Sequence, residues 1–111
     1  MANTPEVPPT PAGLPPLDRD RLMTALGSPS RLKMLAVLCD GEPLAAADLA
    51  QIGGVTPRTG CMHGQVLVNA GICRQGRGNL YWLRKEFQPD PTKRILDFGY
   101  CVMRLDYPNP A

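Results

Sequence analysis

Four cysteines (Cys39, Cys61, Cys73 and Cys101) and a single histidine, His63, are the side chains of this sequence suited to thiol or soft-metal chemistry. No two of the cysteines have the short spacing of a zinc knuckle or of a thioredoxin-like site. The expectation for thiols so placed in a cytosolic chain is that they stay reduced and mostly buried. Cys61 and His63 stand two apart, which on a helix sets them about 200° around the axis, so they do not share one ion. No nucleophile lies beside a base, and no carboxylates pair for acid–base work. Gly76-Arg77-Gly78 lacks the strand-to-helix setting of a dinucleotide loop. The sequence therefore predicts no catalysis, no metal and no cofactor.

Cations offer a different chemistry. Net charge is only +2. Yet between Asp48 and Glu86 there is no acidic residue, while Arg58, Arg74, Arg77, Arg84 and Lys85 all fall there. A basic segment on a mildly acidic remainder is the electrostatic footprint of a nucleic-acid face.

Those cations need elements to hold them. Residues 1–16 carry six of the 13 prolines and no periodicity, which predicts a disordered, polyproline-leaning tail. Asp18 can cap a first helix ending at Gly27, and Ser28-Pro29 reads as cap plus first helical residue of a second. Residues 44–52 predict a short alanine-rich helix. Thr56-Pro57 repeats the cap-plus-proline start for a fourth helix, stopped by Gly71. Ile72-Cys73-Arg74 and Leu80-Tyr81-Trp82-Leu83 are strand-like, joined by a glycine-rich tip. Asp90-Pro91 can open a fifth helix over about 90–106, with Ile95, Phe98, Val102 and Leu105 in one apolar stripe suited to a dimer contact. Residues 17–107 thus predict one mainly α (α+β) domain of about five helices with a two-stranded β-hairpin. That arrangement is a winged helix-turn-helix, whose fourth helix would enter a groove while the hairpin reaches the backbone. With no apolar run long enough to span a bilayer and no signal peptide, a cytoplasmic chain without membrane contact is expected.

The sequence resembles the ArsR/SmtB-type family of winged-helix repressors. The matching stretches are Ala25-Leu26-Gly27-Ser28-Pro29-Ser30-Arg31-Leu32, Met34-Leu35-Ala36-Val37-Leu38, Gly41-Glu42 and Asp48-Leu49-Ala50. Val66-Leu67-Val68-Asn69-Ala70-Gly71-Ile72 and Leu80-Tyr81-Trp82-Leu83 continue the match. The resemblance implies a homodimer built from first and last helices, binding double-stranded DNA at a two-fold operator and released by an inducer. It sets Arg58, Thr59, His63 and Gln65 on the groove-reading helix, with Arg74, Arg77 and Lys85 for phosphates. It also implies a possible thiol sensor, because cysteines of the redox-sensing branch come together from the helices that here hold Cys39 and Cys101. The third helix, where the metal sensors of the family carry a cysteine pair, has no thiol here.

Gly60, Met62 and Gly64 depart from that pattern. An interior glycine costs a helix about 1 kcal/mol relative to alanine. Two of them mean either that something packs very close or that the helix is loosely held. Small residues beside a flexible Met also suit a protein partner, so the alternative function is a protein-interaction module on the same scaffold.

Overall fold

The computed structural model of the chain describes residues 13–106. Helix α1 (Arg19–Leu26) starts where the Asp18 carboxylate accepts from the Arg21 amide at 3.0 Å, and Gly27 ends it. Helix α2 (Pro29–Leu38) is capped by Ser28, whose hydroxyl accepts from the Arg31 amide at 3.3 Å, with Pro29 in the first turn. A two-residue strand, β1 (Leu44–Ala45), precedes α3 (Ala46–Gly53), which stops at Gly54 in the left-handed region (φ 67°). Helix α4 (Pro57–Asn69) is capped by Thr56, whose hydroxyl accepts from the Thr59 amide at 3.2 Å. Each of these starts satisfies an amide that the helix itself leaves unpaired.

Strands β2 (Cys73–Gly76) and β3 (Leu80–Leu83) form an antiparallel hairpin closed by a 3₁₀ turn, Arg77–Asn79. Two left-handed residues make that tip, Gly78 (φ 73°) and Asn79 (φ 53°). Strand β1 pairs with the free edge of β3, Leu44 opposite Tyr81, so the sheet has three strands in the order β1-β3-β2. The expected helix over 44–52 therefore begins two residues late, and the expected two-stranded hairpin gains a third strand.

Alternation along β3 sends Tyr81 and Leu83 into the core and leaves Leu80 and Trp82 on the outer face. Leu22, Met34, Leu35, Leu38, Leu49, Leu67 and Ile72 meet them, all essentially sealed from solvent.

The C-terminal region corrects the sequence expectation. No helix spans 90–106, and the described residues contain four α-helices rather than five. Strands β4 (Ile95–Asp97) and β5 (Val102–Arg104) form a second antiparallel hairpin instead. Asp90 does accept from the Thr92 amide at 2.9 Å, as a cap would, but the turn is not continued. Gly99 at φ 84° and the Phe98 amide bonded to the Cys101 carbonyl at 2.9 Å reverse the chain midway. The apolar side chains are then divided by strand alternation, with Leu96 and Phe98 buried and Val102 exposed. Phe98 meets Phe87 at 5.4 Å between ring centroids, which fixes this hairpin on the domain. The helix expected to carry a dimer contact is thus absent from the described residues.

Of the expected tail, residues 1–12 lie outside the described residues. Leu14 and Leu17 pack on the core, and the Tyr100 hydroxyl donates to the Leu17 carbonyl at 3.0 Å. Residue 107, the expected end of the domain, also lies outside them.

Candidate nucleic-acid interface

Helix α4 has two sharply different sides. Gly60, His63, Gly64 and Leu67 are its buried residues, at the i, i+3, i+4, i+7 spacing of one helical face. A Cβ at Gly60 would stand 2.6 Å from the Ala50 Cβ and 2.9 Å from the Ala50 backbone nitrogen. A Cβ at Gly64 would stand 2.8 Å from the Tyr81 ring. Close packing of α3 and β3 is thus the reason for both glycines, and it decides between the two readings above.

His63 faces inward with them. Its Nδ1 lies 2.7 Å from Nη1 of Arg31, whose Nε donates to the Ala25 carbonyl at 2.9 Å and whose Nη2 donates to the Thr24 carbonyl at 3.0 Å. A guanidinium has only donors, so Nδ1 must be the acceptor and the ring is neutral with its proton on Nε2. Burial, and secondarily the Arg31 charge, lowers the His63 pKa from its ordinary 6.5. His63 is only 8% exposed. It is removed from the set of groove-facing candidates.

The outward side carries Arg58, Cys61 and Met62 exposed, with Gln65 half-buried beside them. Thr59 is half-buried, and its hydroxyl accepts from the Thr56 hydroxyl at 2.9 Å within the helix cap. Gln65 reaches the hairpin: its Nε2 donates to Gln75 Oε1 at 2.7 Å and to the Tyr81 hydroxyl at 3.2 Å. Gln75 in turn donates to Asn79 and to the same Tyr81 hydroxyl, each at 3.2 Å. These amides bind the middle of α4 to the inner edge of β2 and to the tip. Arg74 and Arg77 are exposed on that hairpin, Arg77 at its turn.

Lys85 is separated from this group. It lies beyond the base of the hairpin in a 3₁₀ turn, Lys85–Phe87, beside the end of α2. Arg84 is held there as well, with Nε 3.6 Å from the Glu86 carboxylate and its guanidinium 5.9 Å over the Phe87 ring.

Compared with protein-family models, with curated proteins and with solved structures, the chain finds no match in any of the three. Its functional reading rests on its own sequence and geometry.

The thiols are arranged differently from the expected sensor. All four cysteines are free. Cys39 caps the end of α2, while Cys101 sits in the β4–β5 hairpin and on no helix. Burial pushes the Cys39 thiol up to about 11, with Asp40 adding to the rise and Arg94 opposing it. Burial pushes Cys73 up to about 12, and the charge Cys39 would carry adds to this. It is therefore Cys73 that neighbours Cys39 in the core, and both are protonated at neutral pH, the unreactive form of a thiol. Burial raises Cys101 too, followed by the Asp97 charge.

Among the described residues no cluster of three or more His, Cys, Asp or Glu could hold a metal ion, and no helix is long and apolar enough to cross a membrane. Sequence reasoning missed Arg31, Gln75, Asn79 and Tyr81. The signal for Gln75 and Tyr81 was alternation, since the β2–β3 register sets them directly opposite on the inner face.

Proposed function

We propose that this chain is a winged helix-turn-helix protein that binds duplex DNA as a transcriptional regulator, a repressor of the kind its sequence resembles. Helix α3, the three residues 54–56 with Gly54 first, and α4 have the connection length and turn residue of a helix-turn-helix pair. The order α2, β1, α3, α4, β2, β3 adds the strand and hairpin of a wing. In this reading α4 enters the major groove and the hairpin follows the phosphate backbone.

The observation that carries the proposal is the 2.7 Å bond between Gln65 and Gln75. It fastens the exposed side of α4 to the hairpin whose tip carries Arg77, with Arg74 on the other face of that strand, opposite Trp82. Arg58, Arg74 and Arg77 make the phosphate or base contacts, and Met62 and Gln65 face the groove floor. Binding as a homodimer at a two-fold operator is part of the proposal. With a hairpin in place of a helix over 90–106, exposed apolar area for the second subunit comes from Met23 of α1 and from Tyr100 and Val102 of that hairpin.

A second reading has one specific support. Met62 is 54% exposed in the middle of the α4 face, and a flexible thioether suits a protein surface better than a base edge. Gel-shift titration against fragments of the genomic DNA flanking the gene separates the two. A discrete shift supports the regulator. Absence of any shift, with a stoichiometric protein co-purifying and lost on Met62→Asp substitution, supports the interaction module.

A further inference from the structure

A cavity of about 750 Å³ lies away from α4, between the end of α2 and the outer side of β3. That is within the usual range of small-molecule sites, roughly 300–1,000 Å³. Its walls are apolar: Leu38, Pro43, Trp82, Leu83 and Pro91. Polar groups are few, and their state decides what fits.

Asp40 is the acid on the lining, and both its oxygens are taken by Arg94, from Nε at 3.1 Å and from Nη2 at 2.8 Å. That pair is internally neutral. Gln88 spends both its amide hydrogens bracing the groove, donating to the Cys39 carbonyl at 2.9 Å and to the Lys93 carbonyl at 2.8 Å. Lys85 is then the uncompensated charge: it is exposed on the lining and makes no ion pair among the described residues. The Trp82 ring is set by the hairpin, since a Cβ on Gly76 would stand 2.6 Å from it. The site is preformed, with one flat aromatic wall, proline rings nearby and one free cation. A flat apolar body stacks on indole and proline faces at little entropic cost, and a carboxylate satisfies the ammonium.

We propose that this groove binds a small planar aromatic carboxylate, with its ring against Trp82 and its anionic end toward Lys85. The site does not depend on DNA binding, and the two are tested separately.

Trp82 is the one tryptophan of the chain, so its indole N–H is a single, assignable resonance. The experiment titrates the full chain with naphthalene-2-carboxylate and, in parallel, with the neutral naphthalene-2-methanol, following amide and indole shifts. The proposal expects saturable movement of the Trp82 indole and of the Lys85 and Gln88 signals, with the carboxylate binding roughly fivefold tighter than the alcohol, the size of an exposed ion pair. Lys85→Met should remove that preference while leaving alcohol binding unchanged. Equal affinity for the two probes, an unaltered preference in Lys85→Met, or shifts confined to other surfaces at millimolar probe would each overturn it.

Discussion

Nη1 of Arg31 on α2 lies 2.7 Å from Nδ1 of His63 on α4, and the same guanidinium holds the last carbonyls of α1. Three helices therefore meet at one hydrogen-bonded group, and the bond exists only while the imidazole is neutral. A protonated ring would set two donors and two positive charges against each other.

This junction predicts a pH dependence. The folded His63 pKa is lowered, so on acidification the unfolded chain takes up the proton first. The corresponding stability is in place above pH 6.5 and is lost as pH falls from there through the lower folded value. Urea unfolding between pH 7.5 and 5 should show a falling midpoint. Asp18, Glu86 and Asp90, whose pKa values also lie below their ordinary ones, act only in a more acidic window. His63→Asn keeps an acceptor for Arg31 and should flatten the profile. As the single histidine, His63 also gives its own midpoint and its Nε2–H tautomer by NMR; a midpoint at or above 6.5 contradicts the account.

The helix-interior glycines predict a reversal of ordinary propensity. Gly→Ala normally stabilises a helix by about 1 kcal/mol. At Gly60 the new methyl would press on the Ala50 backbone, which cannot rotate away, and overpacking costs about 1–3 kcal/mol. Gly60→Ala should therefore lower the thermal midpoint, while Met62→Ala on the exposed side should leave it nearly unchanged. A more stable Gly60→Ala protein would show that α3 and α4 are not in such close contact.

The thiols predict both a labelling order and an alkaline limit. Cys61 is exposed and should react first with a thiol reagent at pH 8, whereas Cys39 and Cys73 should react only as the protein opens. Their folded values of about 11 and 12 lie above the ordinary 9.0. The protonated thiols thus contribute stability that is intact below pH 9 and lost as pH rises through 11–12. Tyr81, also raised chiefly by burial, acts in the same direction. Denaturant midpoints at pH 8 and 10.5 test this; a midpoint unchanged between them refutes it.

Much of the N-terminal half is legible in the sequence because its signals are local. Asp18, Ser28 and Thr56 each cap the helix that follows, and Pro29 and Pro57 need no amide partner where they stand. The last hairpin misleads for the same reason. Asp90-Pro91 is a sound helix start, and residues 95, 98, 102 and 105 happen to repeat at helical spacing. Against them stood Gly99 and the alternation of Leu96 and Phe98, which prevail because burial of those two side chains, Phe98 against Phe87, rewards a strand. The orientation of His63 was readable too, had Gly60 and Gly64 been counted with Leu67 as one inward face. The bond from Gln65 to Gln75 was not, since it joins two polar residues through a tertiary packing of α4 on the hairpin.

The most direct measurement of the central claim is the salt dependence of duplex DNA affinity, by fluorescence anisotropy, for the full chain and for Arg58→Ala, Arg74→Ala and Arg77→Ala. Each phosphate contact contributes about −0.9 to the slope of log affinity against log salt, so three per subunit, six per homodimer, predict roughly −5.4. Each variant, present in both subunits, should reduce that slope by nearly two contacts, while Lys85→Met should leave it unchanged. A slope near zero, or one insensitive to Arg74 and Arg77 but lowered by Lys85→Met, would contradict a DNA-binding surface made of α4 and the β2–β3 hairpin.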